Sequence, residues 1–503
     1  MRLFIVMLLC LPTGVFAEDV ITGQGKLQGA SDNGVFSFKG IPYAAAPAGD
    51  LRWAAPQVAP NWQGTRAATQ YGPDCMQLPY PRLSPYYRPL NGPSEDCLFL
   101  NVWSTSLQPS RKAPVMVWIH GGGLTRGSGS TLSYDGSNFA RHNVVLVTIN
   151  YRLNVFGYMA HEELSKEQGG SSGNYGLQDQ VAALRWVKEN ISAFGGNPDN
   201  VTIFGESAGS SSVNQLMINP QARGLFHRAI GQSGGIFRPL PELNKAGHAN
   251  GQKVAAAINA GGLSQMRAAS AEDLLAEYSA LAKSGVRFGA IVDGKTIPAQ
   301  TISLFKSGNY NRVPLLVGYN RDEATVFALV PGRGVASNQQ QFEAGLDKFM
   351  PALKEDFLDV YPPQRGENER QPYLDFWRDM VFGWNMQTWA RMNEQGGSRS
   401  WMYFFTHQPA TAVGEKLGAY HAAEIAYVFG NRLPNTKDDT DLSELMQYYW
   451  VNFATYGTPN GPDAEIWPHF GKRGRYMKMG LPEVLGQRLN ADAMAVWDRA
   501  AGL

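Results

Sequence analysis

The chain has 503 residues, of which 44% are hydrophobic and 17% are charged, and its formal net charge is +1. It contains no basic run and no interleaving of aromatic and basic residues, so no nucleic-acid partner is expected. The composition is that of a globular protein with ample core, and the absence of repeats or linkers predicts one domain over residues 18–503 with long insertions.

The N-terminus has the pattern of a secretory signal. Arg2 precedes a short apolar run from Leu3 to Phe16, and Ala17 supplies a small residue at the cleavage position. Residues 1–17 are therefore predicted to be a signal peptide, with an uncleaved anchor as the alternative. The apolar run is short for a bilayer span. We expect a secreted or periplasmic protein without stable membrane insertion.

Two cysteines remain after the predicted cleavage, Cys75 and Cys97. In an exported chain a nearby pair favours one disulfide, although two unrelated thiols are the alternative. The pair lacks zinc-site spacing and neighbouring histidines, so no metal site is predicted. The stretch from Pro56 to Pro93 is rich in Pro, Gly and Tyr and has no clear period. It is predicted to be a long ordered loop held by the disulfide.

Short apolar runs predict strands, and apolar residues at helical spacing predict helices between them. The predicted strands are 35–41, 98–103, 115–119, 144–150, 201–204, 313–318 and 401–405. The predicted helices are 178–190, 254–260, 271–282, 448–454 and several segments within 324–397. Strands that alternate with helices indicate an α/β fold with a mostly parallel sheet.

The stretch Gly205-Glu206-Ser207-Ala208-Gly209 follows one of these strands and leads into a potential helix. This is the G-x-S-x-G pattern, in which a sharp turn exposes the serine hydroxyl above a helix N-terminus. Ser207 is therefore a candidate nucleophile. A glycine- and serine-rich turn without catalytic function is the alternative.

A serine nucleophile needs a base, and the base needs an acid to orient it. His421 is the best candidate base, because it follows a late strand and has small neighbours. His120 is a rival, although its place in a glycine turn suits a role in orienting that turn. Two adjacent carboxylates, Asp322 and Glu323, follow the strand 313–318. Glu424, three residues after His421, is a further rival acid.

Three glycines, Gly121, Gly122 and Gly123, follow the strand 115–119. Their backbone N–H groups, together with that of Ala208, are suited to binding an oxyanion. The order serine, acid, histidine along the chain is the order used by lipases and esterases. These features together predict a serine hydrolase that needs no cofactor.

Matching motifs run nearly end to end, including Ser94–Val102, Val117–Gly123, Gly173–Gln180, Asn197–Gly209 and Tyr420-His421. In these motifs the sequence resembles the type-B carboxylesterases, the family that includes the cholinesterases and bile-salt lipases. The resemblance implies an α/β-hydrolase fold and a small-molecule ester substrate, with no metal or cofactor. With a single predicted disulfide, the chain resembles a bacterial exported member of this family.

The resemblance also assigns roles to individual residues. It implies that Ser207, Glu323 and His421 form a catalytic triad and that the N–H groups of Gly122, Gly123 and Ala208 form an oxyanion hole. It also implies that Glu206 is a carboxylate beside the nucleophile and that Ser233 lies near the triad. It further implies a Cys75–Cys97 disulfide and the ion pairs Arg52–Glu95 and Arg152–Asp179.

One position departs from the cholinesterases. Their disulfide loop carries a tryptophan that binds choline, and here Tyr87 occupies that place. Tyrosine can form a weaker cation–π site, and a packing role is the alternative.

A specialised esterase for choline esters, lipids, polyesters or a toxin is an alternative function, as is a non-catalytic binding or adhesion homologue. The sequence does not indicate an oligomeric state.

Overall fold

A computed structural model describes residues 16–330, 332, 334–364, 366 and 369–503. The predicted signal peptide, residues 1–17, lies outside the described residues except for Phe16 and Ala17, which begin the first strand.

A single large sheet organises the described chain. Its strands are β1 (Phe16–Thr22), β2 (Gly25–Asp32), β3 (Val35–Pro42), β4 (Thr65–Ala67), β5 (Phe99–Ser104), β6 (Ala113–Ile119), β7 (Val145–Ile149), β8 (Gly196–Glu206), β9 (Arg228–Gln232), β10 (Leu315–Asn320), β11 (Ser400–Phe405), β12 (Arg475–Met479) and β13 (Val484–Gln487). Their order is β1-β2-β3-β5-β7-β6-β8-β9-β10-β11-β12-β13, and β4 pairs with β2.

The centre of the sheet is parallel and its two ends are antiparallel, except that the short β4 pairs in parallel with β2. All pairs from β7 through β6, β8, β9, β10 and β11 to β12 are parallel, whereas β1, β2, β3 and β5 pair in antiparallel fashion, as do β12 and β13. This arrangement confirms the predicted mostly parallel α/β sheet.

Both faces of the central strands are buried, as their continuous apolar sequences require. Along β6, Val115, Val117 and Ile119 belong to one hydrophobic core, whereas Met116 and Trp118 belong to a second core. Successive side chains of a strand point to opposite faces, so the two cores lie on opposite sides of the sheet.

Helices connect the strands and cover the sheet. They are α1 (Ser137–Arg141), α2 (Asn154–Tyr158), α3 (Glu162–Glu167), α4 (Tyr175–Asn190), α5 (Ala208–Ile218), α6 (His248–Ala257), α7 (Leu263–Ala268), α8 (Ala271–Lys283), α9 (Thr301–Lys306), α10 (Ala324–Phe327), α11 (Gln339–Phe349), α12 (Lys354–Val360), α13 (Gln371–Arg378), α14 (Trp384–Gln395), α15 (Ala412–Leu417), α16 (Ile425–Phe429), α17 (Lys437–Tyr456) and α18 (Ala491–Ala501). Among the described residues, no helix combines the length and apolar character needed to cross a bilayer.

The parallel direction of β6, β8 and β10 places their carboxyl ends at one edge of the sheet. The segments that follow these ends begin with His120, Ser207 and Arg321. Ligand sites of open α/β sheets form at this edge. The fold therefore brings three of the sequence motifs together.

Candidate active site

Ser207 is the single residue between the end of β8 and the start of α5. Its backbone has φ 55° and ψ −122°, a sparsely populated conformation for a residue with a Cβ. The Ser207 N–H donates to the carbonyl oxygen of Gln232 on β9 at 2.8 Å, which holds the turn. A strained, well-braced residue at this turn presents its side chain away from both flanking elements.

The glycines around Ser207 allow strand and helix to approach closely. A Cβ on Gly209 would lie 1.9 Å from the carbonyl oxygen of Ile119, and a Cβ on Gly205 would lie 2.6 Å from the same atom. No side chain fits at these distances. The two outer glycines of G-x-S-x-G are therefore required by packing against β6.

His421 lies in the loop between α15 and α16, and its side chain is buried. Its Nδ1 lies 2.6 Å from Oε2 of Glu323. The imidazole stacks on the ring of Phe382 at 4.8 Å, and Phe327 lies 5.0 Å away. The carbonyl oxygen of His421 accepts a hydrogen bond from the Tyr86 hydroxyl at 2.7 Å. Glu323 thus holds the edge of the ring, Phe382 packs on its face, and Tyr86 holds the backbone of His421.

Glu323 is fully buried just beyond the end of β10. Besides the contact with His421, its Oε1 accepts from the Ser233 hydroxyl at 2.5 Å and from the Asn320 N–H at 2.8 Å. A buried carboxylate needs such donors to offset the loss of water. The structure therefore brings Ser233, Glu323 and His421 into one hydrogen-bonded chain.

The two rival carboxylates bond elsewhere. Oδ2 of Asp322 accepts from the Ala419 N–H at 2.7 Å and pairs with Arg321 at 2.8 Å, bracing the loop before His421. Glu424 is buried and accepts from Gln232 at 3.1 Å and from the Asn320 side chain at 2.6 Å. Neither carboxylate contacts the His421 imidazole through a hydrogen bond.

Glu206 faces the other nitrogen of His421. Its Oε1 lies 3.1 Å from Nε2, within ion-pair distance, but the angles are not those of a hydrogen bond and Oε1 has no hydrogen-bonded partner in the described part of the chain. Among the same residues, no hydrogen bond joins Ser207 to His421. Catalytic hydrogen bonds are often long or misaligned before substrate binds. The sequence did not predict the Glu206–His421 contact.

Burial and charge shift the pKa values of this pair in the same direction. Burial raises the pKa of the Glu206 carboxyl; the His421 charge opposes this, and the Glu424 and Glu323 charges add to it. Burial would lower the pKa of His421, but the negative charges of Glu206 and Glu323 outweigh it and raise the pKa above 6.5. The surrounding carboxylates therefore retain a proton on Glu206 or His421 near neutral pH.

The turn after β6 lies against the nucleophile. A Cβ on Gly121 would be 3.1 Å from the Ser207 Cβ and 2.7 Å from the Glu206 carboxylate. Within the described ranges, the N–H groups of Gly122, Gly123 and Ala208 make no hydrogen bond to the protein. The glycine turn thus lies next to the Ser207 side chain, and unpaired N–H groups beside a nucleophile are of the kind that binds an oxyanion.

The buried side chain of His120 packs beneath the glycine turn on Tyr151, and its imidazole is neutral at neutral pH. Its buried ring stacks on Tyr151 at 4.4 Å, and its carbonyl oxygen accepts from the Tyr151 hydroxyl at 2.7 Å. Burial lowers the pKa of His120 to about 4. His120 thus supports the glycine turn, as its position in the sequence suggested.

The predicted disulfide between Cys75 and Cys97 is present, and it closes the loop that carries Tyr80, Tyr86 and Tyr87. Tyr86 reaches His421, which no local pattern in the sequence could have revealed. Tyr87 is 40% exposed and makes no hydrogen bond or ring contact with the Ser207–Glu323–His421 group among the described residues.

The two ion pairs implied by the resemblance are also present. Arg52 Nε lies 2.7 Å from Glu95 Oε1, and Arg152 Nη2 lies 2.7 Å from Asp179 Oδ1. Both pairs are largely buried. In the described part of the chain, no cluster of three or more His, Cys, Asp or Glu side chains is arranged to hold a metal ion.

The chain is similar to known esterases along most of its length. The profile described as "Carboxylesterase family" matches residues 17–497. The para-nitrobenzyl esterase of Bacillus subtilis is 38% identical over 473 residues, covering 91% of this chain and 93% of the relative. The fumonisin B1 esterase of Sphingopyxis macrogoltabida is 35% identical over 487 residues, covering 93% and 87%.

Solved structures agree with the sequence relatives. The crystal structure of a carboxylesterase from Geobacillus stearothermophilus at pH 6.2 superposes with a TM-score of 0.84 at 34% identity, covering 95% of this chain and 99% of that chain. The neighbouring structures confirm the α/β-hydrolase fold. The chain therefore belongs to the carboxylesterase family, the type-B carboxylic ester hydrolases.

Proposed function

We propose that Ser207, His421 and Glu323 are the catalytic triad of this esterase. The observation that carries the proposal is the 2.6 Å contact between His421 Nδ1 and Glu323 Oε2, at the edge of the sheet where Ser207 occupies a strained strand-to-helix turn. A buried carboxylate on Nδ1 fixes the imidazole tautomer and leaves Nε2 to act as the base.

In the proposed reaction, Ser207 Oγ attacks the ester carbonyl and its proton passes to His421 Nε2. The oxyanion is held by the N–H groups of Gly122, Gly123 and Ala208. His421 then gives its proton to the departing alcohol, leaving an acyl group on Ser207. Water that loses a proton to His421 attacks this acyl group, the bond to Ser207 Oγ breaks, and His421 returns the proton to Oγ as the acid is released.

Glu206 and Ser233 have supporting roles in this proposal. Ser233 holds Glu323 through a hydrogen bond and so fixes the direction of its carboxylate. Glu206 lies against Nε2 in the substrate-free protein, on the nitrogen that must reach Ser207. Protonated Glu206 gives up this contact more readily than the anion does, because it lacks the attraction of opposite charges.

We further propose that the chain is a bacterial protein exported to the periplasm or the medium. The leader-like sequence of residues 1–17 and the Cys75–Cys97 disulfide support export, since disulfides persist in oxidising compartments. N-terminal sequencing of the protein recovered outside the cytoplasm should start at Glu18. A first residue of Met1 in that fraction would contradict cleavage.

The replacement of Ser207 by alanine tests the nucleophile. Ser207→Ala should abolish turnover of short p-nitrophenyl esters and prevent labelling by an organophosphate, while circular dichroism stays unchanged. Ser211→Ala is the matched control, because Ser211 lies one turn further on α5 and should stay active. Full turnover in Ser207→Ala would overturn the mechanism, and a wild-type protein that resists labelling would indicate a non-catalytic homologue.

A further inference from the structure

A cavity of about 570 Å³ opens beside the glycine turn. Tyr80 and Arg126 line it, and both approach Gly122: a Cβ on Gly122 would lie 3.2 Å from the Tyr80 hydroxyl and 2.2 Å from the Arg126 carbonyl oxygen. Gly121, the preceding residue, lies against Ser207. The cavity is therefore adjacent to the proposed oxyanion donors, and its volume suits a small ligand.

The cavity is lined by charges of one sign. Arg82, Arg88 and Arg126 contribute to its wall, and no aspartate or glutamate does. Arg88 pairs with the nearby Asp74 at 3.0 Å, whereas Arg82 and Arg126 have no carboxylate within ion-pair distance in the described part of the chain. A cleft with one sign of charge concentrates ligands of the opposite sign.

Arg88 is held at the cavity wall by an ion pair with Asp74. Its Nη1 is held by Oδ2 of Asp74, which also accepts the Asn91 N–H at 2.8 Å. Its Nη2 is buried and has no hydrogen-bonded partner among the described residues. Nη2 has almost no exposed surface, so a ligand in the cavity does not reach it, and Arg88 acts on such a ligand through its charge, which Asp74 partly offsets.

Arg126 is positioned and still has free donors. Its guanidinium lies 5.1 Å from the Tyr80 ring centroid, and Nη1 donates one long bond of 3.4 Å to the Pro79 carbonyl oxygen. A guanidinium has five N–H donors in a planar fork. The remaining donors match the two oxygens of a carboxylate, which arginine binds in a bidentate manner.

We propose that this cavity binds a carboxylate of the substrate, so that the enzyme prefers esters that carry a second, free carboxylate on the acid or the alcohol part. The inference rests on the proposed catalytic function of Ser207. A quaternary ammonium at Tyr87 would face the positive charges of Arg82 and Arg126 in the same cavity, since the charge of Arg88 is paired with Asp74. The sign of the bound charge therefore separates this proposal from a choline site.

Paired substrates test the preference. On the acid side, 4-nitrophenyl hydrogen adipate is compared with its methyl-capped diester; on the alcohol side, 4-acetoxybenzoate is compared with its methyl ester. For at least one pair, kcat/KM of the charged member should exceed that of the capped member about tenfold, as expected for one charge-assisted hydrogen bond. The responding pair identifies the part of the ester that enters the cavity. Added salt should reduce the preference.

The double variant Arg82→Gln/Arg126→Gln tests whether these two arginines cause the preference for charged substrates. The ratio of charged to capped kcat/KM, measured within each variant, should fall about tenfold, and competitive inhibition by glutarate should weaken by a similar factor. Using the ratio removes any general effect on the glycine turn. Arg312→Gln is the matched control, because Arg312 also lies over a tyrosine ring, at 5.8 Å from Tyr310, but does not line the cavity. Its ratio should be that of the wild type.

Two results would overturn the inference. One is an equal kcat/KM for charged and capped substrates in the wild type; the other is a higher kcat/KM for acetylthiocholine than for its uncharged isostere, which would indicate a cation site at Tyr87. Both leave the proposed triad intact, because neutral esters would still be hydrolysed through Ser207. Loss of the triad would instead appear as no turnover of any ester.

Discussion

Oε1 of Glu206 lies 3.1 Å from Nε2 of His421, on the side of the imidazole opposite to Glu323. The histidine therefore lies between two carboxylates. In the proposed triad Glu323 orients the histidine, and Glu206 competes with Ser207 for Nε2, the nitrogen proposed to act as the base.

Replacing Glu206 by glutamine should shift the pH dependence of the enzyme. The Glu206 charge helps to raise the pKa of His421 above 6.5, and the base works only when neutral, so the acidic limb of kcat/KM in the wild type should lie above that value. In Glu206→Gln the limb should move to lower pH. Glu424→Gln is the control with the smaller shift, because Glu424 contributes less to the pKa of His421. An unmoved limb in Glu206→Gln would contradict the coupling.

Replacing Glu323 by glutamine should lower kcat by about 10³- to 10⁴-fold, because the imidazole loses the carboxylate that fixes its tautomer. Asp322→Asn is the matched control. Its carbonyl oxygen can still accept from the Ala419 N–H, so kcat should stay within about tenfold of the wild type. Steady-state kinetics on a neutral p-nitrophenyl ester measure both. Equal losses in the two variants would argue against Glu323 as the triad acid.

Replacing Ser233 by alanine should lower kcat with little change in KM, because Glu323 loses one of its donors. The free energy of unfolding should also fall by about 1.5–3 kcal/mol, the range for hydrogen bonds to charged groups. Ser210→Ala removes a bond to the neutral carbonyl of Gly234 and should cost only about 1 kcal/mol. Urea titration measures both values. A Ser233→Ala enzyme with unchanged kcat would remove this residue from the catalytic arrangement.

Replacing Cys75 and Cys97 together by serine should lower the free energy of unfolding by about 3 kcal/mol, since the disulfide closes a loop of 22 residues. The variant should also lose kcat, because the loop supplies the Tyr86 hydroxyl that holds the His421 carbonyl. Tyr86→Phe in the oxidised protein separates these effects: it should lower kcat while keeping most of the stability. Full activity in both variants would mean that the loop does not support the base.

The strands next to the motifs could be predicted from the sequence because apolar runs there end in glycine turns. The strand predicted at 313–318 is observed as β10 (Leu315–Asn320), and the helical region 324–397 contains α10 to α14. The strand β9 (Arg228–Gln232) is not predicted from the sequence. It has only five residues, and its strand conformation depends on pairing with β8 and β10 and not on a local sequence pattern. The helix predicted at 448–454 is the end of the longer α17, whose polar first half hid its period.

In the candidate site, too, some residues could be predicted from the sequence and others only from the folded structure. Glycine spacing and chain order led to Ser207 and Gly121–Gly123, and the resemblance added the choice of Glu323 over Asp322. The contacts of His421 with Tyr86, Phe382 and Glu206 join distant parts of the chain, and no spacing rule relates them. Which residues surround the base therefore depended on the folded structure.

The disulfide-closed loop has a practical consequence for changing substrate preference. It supplies the wall of the arginine-lined cavity through Tyr80, Arg82 and Arg88, and it also supplies Tyr86, whose hydroxyl holds His421, the proposed base. A library that randomises the whole loop will mix altered selectivity with damaged turnover. Varying positions 81–82 and 87–90 while keeping Tyr80, Tyr86 and both cysteines would change the cavity wall without removing the contacts to Gly122 and His421.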